Sequence, residues 1–124
     1  MSRGLTTDVQ LARACRGIRW FRGVYMRDEL PCKVWKNESA IVNLNTSCQG
    51  GSHWVCFEKR GQQARYFDSF GNLSPIPEVL QRLRGCDVTY NRLAHQNFDE
   101  KICGQLCVRF LNGQLQNNVE RRFK

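Results

Sequence analysis

The sequence predicts an α+β fold in which a central mixed sheet is flanked by helices. Short runs rich in β-branched and aromatic residues predict the strands, at 39–44, 52–58, 64–68 and 87–90. Apolar residues at helical spacing predict two helices, over 75–84 and from Cys103 onward. Because the chain has only 124 residues, we expect one compact domain over residues 1–124.

The N-terminal third predicts one short helix followed by irregular chain. The residues TTD at 6–8 precede a run of apolar residues and predict a capped helix that stops near Gly17. Residues 18–37 hold several aromatic side chains without clean periodicity, so we interpret them as a packed irregular segment. The polar residues of 43–51 end in two glycines, which is typical of a loop.

Turn and cap residues separate the elements of the second half. Gly61 lies between two predicted strands and fits a hairpin turn. Ser74 is expected to cap the next helix, with Pro75 in its first turn, and Gly85 ends it. A polar loop over 96–101 then leads into the last helix, which we expect to begin at or just before its first cysteine.

Composition limits the class of protein. The chain carries 19 Lys and Arg against 11 Asp and Glu, a net charge of +8, which suits an acidic partner such as nucleic acid or is simply a solvated basic surface. A hydrophobic content of 41% and a charged content of 24% argue against wholesale disorder. No run approaches the ~20 apolar residues of a membrane span, and the first nine residues lack the apolar core of a secretory signal. We therefore expect an intracellular protein without a membrane partner.

The cysteines predict free thiols. There are seven, an odd number in a chain without a secretory signal, which argues against a disulfide framework and for a reducing compartment. No Cys-x-x-Cys pair occurs, so we expect no zinc site and no other metal. Several of these cysteines could be small buried hydrophobic residues, and one could be a reactive thiol.

Cys103 is the candidate nucleophile. It lies where the polar loop becomes a helix, and the unpaired N–H groups of a helix N-terminus favour a thiolate. Gly104 follows it and would let a substrate backbone approach closely. The alternative interpretation is a buried helical cysteine.

A cysteine nucleophile needs a base and a group that orients the base. Of the two histidines, we assign His53 as the base, because it follows Gly51 at a flexible edge where a substrate chain could pass, and we interpret His95 as a surface residue. Asp68 ends the neighbouring predicted strand and could orient the imidazole if the two strands form a hairpin. The alternative is that Asp68 caps a turn.

Acyl transfer also needs a donor to the oxyanion. Gln96 lies seven residues before the candidate nucleophile, in the loop that leads into its helix. Its side-chain amide, together with the backbone N–H of the nucleophile, could stabilise an oxyanion. The alternative is an ordinary loop residue.

The ordered set of these four residues resembles the adenain family, the adenovirus cysteine proteases, and more broadly the clan that includes SUMO-deconjugating proteases. The resemblance is carried by GGSHWVCF at 50–57, YFDSFG at 66–71 and the Gln96-x6-Cys103-Gly104 spacing. It extends upstream through CRGIRWFRGVY at 15–25 and SAIVN at 39–43. The residues before the nucleophile, Asp99 to Ile102, differ from the Asp-Cys-Gly ending of SUMO proteases, which favours the viral branch.

The resemblance implies an α+β cysteine protease with the nucleophile at a helix N-terminus. His53 takes the position of the general base, Asp68 that of the orienting acid, Cys103 that of the nucleophile and Gln96 that of the oxyanion donor. Trp54 takes the position of a tryptophan that lines the active-site groove. The implied activity is a thiol endopeptidase that matures viral capsid or core precursor proteins in the host nucleus or the virion, with cleavage near glycines.

The resemblance also bears on cofactors and alternatives. Family members are activated by DNA and by a disulfide-linked peptide. Cys86 lies near the position of the peptide-linking cysteine, although the alignment needs a one-residue gap, and a buried or idle thiol is the alternative. No metal or organic cofactor is implied. Two other functions stay open: a protease that removes ubiquitin or SUMO, and a basic DNA-binding protein with a vestigial catalytic set.

Overall fold

The chain forms one mixed sheet with helices packed on it. The computed structural model describes residues 7–46, 53–71, 73–94 and 102–115, and the backbone of 120–123. The strands of these ranges are β1 (Phe21–Met26), β2 (Asn37–Asn43), β3 (Trp54–Arg60), β4 (Gln63–Phe67), β5 (Asp87–Asn91) and β6 (Glu120–Phe123). The helices are α1 (Asp8–Ala14), α2 (Pro77–Arg82) and α3 (Cys103–Leu111). The predicted α+β class with a mixed sheet and helices is confirmed.

The strands follow one another across the sheet in the order of the chain. β1 and β4 run parallel to their following strands, β2 and β5, whereas β2–β3, β3–β4 and β5–β6 are antiparallel. Asn43 at the end of β2 therefore pairs with Trp54 at the start of β3, and β4 and β5 also end on this side. We call this end of the sheet, marked by Asn43, Trp54, Phe67 and Asn91, the site edge.

Helices cover both faces of the sheet. Ile41, Cys56 and Phe67 lie on one face and pack with residues of α1 and α3. Val42 and Val55 lie on the other face and pack with residues of α2. Because side chains alternate between faces and both faces are covered, the central strands are buried on both sides and show no strict polar alternation.

Two strands were not predicted. β1 lies within residues 18–37, where we expected irregular chain. It is an edge strand whose pairing with β2 shifts between Phe21 and Gly23, and all six of its residues are half-buried. A bulged edge strand lacks the regular alternation of polar and apolar residues, so the sequence pattern did not indicate a strand. β6 has only four residues.

Two of the three helix starts were predicted correctly, those of α1 and of α3 at Cys103, and one was not. In α1 the Thr7 side chain accepts the Gln10 N–H and the Gln10 side chain accepts the Thr7 N–H, so the predicted capped start is confirmed and has the form of a capping box. α2 begins at Pro77 with Ile76 as its N-cap, so the predicted cap at Ser74 is wrong. Proline at the first helical position has no N–H that would need a cap.

A buried carboxylate joins β1, β2 and α2. Glu38 is 1% exposed and accepts hydrogen bonds from Arg82 at 3.1 Å, from Arg22 at 2.8 Å and from the Trp35 N–H at 3.3 Å. Burial favours the neutral acid, but the two guanidinium groups outweigh it and lower the pKa of Glu38. This network fixes the segment before β2 against α2. No helix in the described ranges has the length and apolar character needed to cross a membrane.

Candidate active site

The candidate base and the candidate acid meet at the site edge because β3 and β4 form a hairpin. His53 directly precedes β3 and Asp68 directly follows β4, so His53 lies just outside the strand in which we expected it. Its Nε2 lies 2.8 Å from Oδ1 of Asp68. Both side chains are buried, at 8% and 2% exposure. A hydrogen bond of this length between buried groups is strongest when the imidazole is protonated.

Phe70 contacts both members of this pair. Its ring stacks on His53 with centroids 4.0 Å apart and planes within 4° of parallel. Its backbone N–H donates to Oδ1 of Asp68 at 3.0 Å. Phe70, in the turn after β4, therefore contacts both His53 and Asp68. This role was missed in the sequence, although Phe70 belongs to the YFDSFG block that carries the resemblance.

Cys103 is the first residue of α3 and lies against the start of β3. Its Sγ accepts the Trp54 N–H at 3.4 Å, and the His53 ring and the Gly104 N–H both lower the pKa of its thiol. Because Nε2 of His53 faces Asp68, Nδ1 is the ring nitrogen that remains for the thiol. His53 therefore lies between Asp68, to which it is hydrogen-bonded, and the Cys103 thiol, whose pKa it lowers.

The electrostatics of the site favour a charged base and a charged nucleophile. Burial alone would lower the pKa of His53, but Asp68 and Cys103 outweigh it and raise that pKa from 6.5 to about 9. Burial alone would raise the pKa of Cys103, but the His53 ring and the N–H groups of Trp54 and Gly104 outweigh it, and the thiol pKa is lowered. Both shifts favour the imidazolium–thiolate form of the pair over its neutral form.

Two neighbouring thiols have raised pKa values, in contrast to Cys103. Cys107 lies one helical turn after Cys103, and its Sγ donates to the Trp54 carbonyl at 3.5 Å. Burial raises the pKa of Cys107 well above its ordinary value and raises that of Cys15 to about 12. Both belong to the same apolar cluster as Cys103. The environment thus singles out Cys103 as the ionisable thiol among these three.

A cavity of about 310 Å³ opens beside the site, between the start of α1 and the end of β1. Val24, Met26 and Trp54 form apolar parts of its wall, and Asp8 and Glu29 supply carboxylates. The Trp54 N–H also donates to the Cys103 sulfur, so Trp54 belongs both to the cavity wall and to the site. The expectation that Trp54 lines a substrate groove stays a prediction.

The remaining predicted residues either fall outside the described part of the chain or lie away from the site. Gly51, Gln96 and His95 lie outside the described residues, so the groove edge, the oxyanion donor and the surface histidine stay predictions. Cys86 is a half-buried free thiol between α2 and β5. Its Sγ lies 3.7 Å from the Gly61 carbonyl, at the end of the sheet opposite the site edge. Its pairing with a peptide stays a prediction.

Within the described part of the chain, no group of three or more His, Cys, Asp or Glu residues could hold a metal ion. The chain matches no protein-family model and no curated protein.

Proposed function

We propose that the chain is a cysteine endopeptidase with an adenain-like fold. Cys103 is the nucleophile, His53 the general base and Asp68 the group that orients the base. The observation that carries the proposal is the buried His53–Asp68 pair, with Nε2 and Oδ1 2.8 Å apart, beside a thiol of lowered pKa at the start of a helix. Nucleophile, base and orienting acid connected in this way are the arrangement that activates a thiol for acyl transfer.

The first half of the reaction forms a thioester. The Cys103 thiolate attacks the carbonyl carbon of the scissile peptide, and the carbonyl electrons move to its oxygen. The Cys103 N–H is the first of the helix and has no intrahelical acceptor, so it can donate to this oxyanion, and Gln96 is the second proposed donor. The oxyanion then collapses, the C–N bond breaks, and the leaving amine takes a proton from Nδ1 of His53.

The second half regenerates the enzyme. Neutral His53 accepts a proton from water through Nδ1, and the hydroxide attacks the thioester carbonyl. The carboxylic acid product leaves and Cys103 returns as a thiolate beside the imidazolium. Asp68 stays ionised throughout and holds the ring so that the same nitrogen faces the reacting atoms in both steps.

The substrate class rests on the resemblance. Viral capsid or core precursor proteins cleaved near glycines are the proposed substrates, and the host nucleus or the virion is the proposed location. The cavity beside Trp54 would receive a side chain of an extended substrate that crosses the site edge. A substrate in this position would lie across the strand ends, next to the thiolate.

The activity test compares two cysteine variants. A library of quenched fluorescent peptides that contain glycine pairs is incubated with wild type, Cys103→Ala and Cys32→Ala. We expect Cys103→Ala to lose all turnover while circular dichroism and melting temperature stay near those of wild type. Cys32→Ala, which removes an exposed thiol away from the site edge, should keep wild-type turnover. Turnover by Cys103→Ala would disprove the assignment.

Removal of ubiquitin or SUMO is the alternative within the same chemistry. Ubiquitin and SUMO probes with a C-terminal electrophile would label Cys103 at nanomolar concentration if these proteins are the substrates. If the ubiquitin and SUMO probes label Cys103 only at concentrations at which an unrelated peptide probe also labels it, the endopeptidase is favoured. Mass spectrometry of the tryptic peptides identifies which cysteine carries the label.

A nucleic-acid partner is the second candidate function, and one surface favours it. Arg19 and Arg60 stack on the Trp20 ring at 4.4 and 4.7 Å, and Arg22 stacks on Trp35 at 3.8 Å. This basic face surrounds the end of the sheet opposite the site edge, where β1 begins and β3 ends. Guanidinium and indole planes together supply the stacking and phosphate contacts that single-stranded nucleic acids use.

Salt-dependent binding tests this surface. Fluorescence anisotropy of a labelled single-stranded oligonucleotide is measured from about 50 to 200 mM salt, where phosphate contacts weaken steeply. Arg60→Ala should weaken binding and reduce the salt slope by about one. Arg84→Ala, which removes the same charge beside α2, is the matched control. Equal effects of the two variants would show that net charge alone, and not this surface, carries the binding.

A further inference from the structure

Asn91 holds the backbone of the catalytic acid from both sides. Its Oδ1 accepts the Asp68 N–H at 3.0 Å, and its Nδ2 donates to the Asp68 carbonyl at 2.7 Å. The same Nδ2 donates to the Leu93 carbonyl at 3.1 Å. Asn91 is 1% exposed and is the last residue of β5. One buried amide thus satisfies both backbone groups of Asp68, as a neighbouring strand would.

The two strand ends are locked together at a second point. Gly71 has a φ of +82°, and a Cβ on it would lie 2.4 Å from the Ala94 nitrogen. The turn after β4 therefore lies directly on the segment that follows β5. β4 and β5 pair as far as Tyr66 and Tyr90. The Asn91 side chain extends the contact between the two strands to Asp68, two residues beyond Tyr66.

We propose that Asn91 is a positioning residue of the active site, which acts on His53 by fixing the backbone of Asp68. The inference rests on the proposed function of the triad. The Asp68 side chain has only two rotatable bonds, Cα–Cβ and Cβ–Cγ, so an anchored backbone keeps Oδ1 within reach of the His53 ring. With the anchor removed, the turn after β4 can move and the Nε2–Oδ1 contact lengthens.

The consequence is a loss of catalysis without a loss of substrate binding. A misplacement on the order of 1 Å costs about 10²-fold in rate, so we expect Asn91→Ala to lower kcat by about that factor with little change in KM. The ion pair should weaken as well. As His53 loses its carboxylate partner, the Cys103 thiol should titrate at higher pH, and its alkylation rate at pH 6 should fall about tenfold for each unit of that shift.

The experiment measures the pH profile of iodoacetamide alkylation at Cys103, resolved by mass spectrometry, together with kcat and KM. The variants are Asn91→Ala and Asn91→Asp, the second of which keeps the shape and the acceptor but loses the donor to Asp68. The matched control is Asn43→Ala, which removes another buried amide at the same site edge. Oδ1 of Asn43 accepts the Asn45 N–H and not a group of Asp68.

The outcomes separate this inference from the proposed function. The Asn91 variants are compared with Asn43→Ala at similar decreases of the melting temperature. If both Asn91 variants shift the alkylation profile to higher pH and Asn43→Ala does not, Asn91 positions the acid. If wild type shows the low-pH profile and the folded Asn91→Asp shows it unchanged, the inference is overturned while the proposed function stands. If wild-type Cys103 itself titrates as an ordinary thiol, the proposed function fails first.

Discussion

The His53–Asp68 pair couples the stability of the protein to pH. The pKa of His53 is raised from 6.5 to about 9 in the folded protein. A histidine whose pKa rises on folding stabilises the fold fully below its unfolded pKa, and this stabilisation is lost as pH rises through the folded pKa. Asp68→Asn removes the carboxylate charge at nearly constant shape, so it should remove most of this pH dependence.

The magnitude follows from the shift. A rise from 6.5 to about 9 corresponds to about 3 kcal/mol, at roughly 1.4 kcal/mol per unit. The thiolate of Cys103 contributes part of that rise. The lowered pKa of Cys103 also couples stability to pH, with the opposite dependence. Its stabilisation is fully present above the pKa of an unfolded thiol and is lost as pH falls through the pKa of the folded protein. In a Cys103→Ala background, where only the carboxylate remains, we expect about 2 kcal/mol.

The assay is urea unfolding of Cys103→Ala and of Cys103→Ala/Asp68→Asn at intervals from pH 5.5 to 9.5. The first protein should be more stable near pH 6, and the difference in free energy of unfolding should shrink by about 2 kcal/mol as His53 deprotonates. His95 is present in both proteins, so its titration cancels. A difference that stays constant across this range would refute the idea that Asp68 keeps His53 protonated.

Two further predictions concern the scaffold. Gly71→Ala and Gly85→Ala both place a side chain at positive φ, but a Cβ at Gly71 meets the Ala94 nitrogen, whereas a Cβ at Gly85 meets open space. In urea unfolding, Gly85→Ala should lower the free energy of unfolding by about 1–2 kcal/mol. Gly71→Ala should lower it clearly more. Glu38→Ala leaves buried guanidinium groups without their carboxylate and should cost about 3–5 kcal/mol, whereas Glu58→Ala, which removes partly exposed ion pairs, should cost at most about 1 kcal/mol; equal losses in either pair of variants would contradict the structure.

The hairpin explains why most of the proposed triad could be predicted from the sequence. A turn at Gly61 makes β3 and β4 antiparallel neighbours, so a residue before β3 and one after β4 must come together. The helical spacing from Cys103 places that thiol at a helix start by a local rule. Both inferences need only short stretches of chain, and the structure brings all three residues into contact.

The rest of the site depends on contacts that no local pattern reports. Asn91 reaches Asp68 only because β5 crosses over and pairs parallel to β4, and the register of a parallel pair is set by the whole crossover. Phe70 gains its role from stacking on a residue from another strand. The start of α2 was misplaced for a different reason, since Pro75 and Pro77 both satisfy the rule for a first helical turn.

The tie between α3 and β3 argues that the thiolate depends on the intact core. Trp54 donates its N–H to Cys103 and accepts from Cys107 through its carbonyl, so both backbone groups of one strand residue bind the first two turns of the helix. Any movement of α3 away from the sheet breaks both bonds and opens the cluster around Phe67 and Phe110, whose rings stack at 4.9 Å. Amide exchange at Trp54 should therefore proceed by global unfolding, with the same free energy as urea unfolding. Faster exchange at Trp54 than at the central amides of β2 would mean that the nucleophile helix detaches on its own.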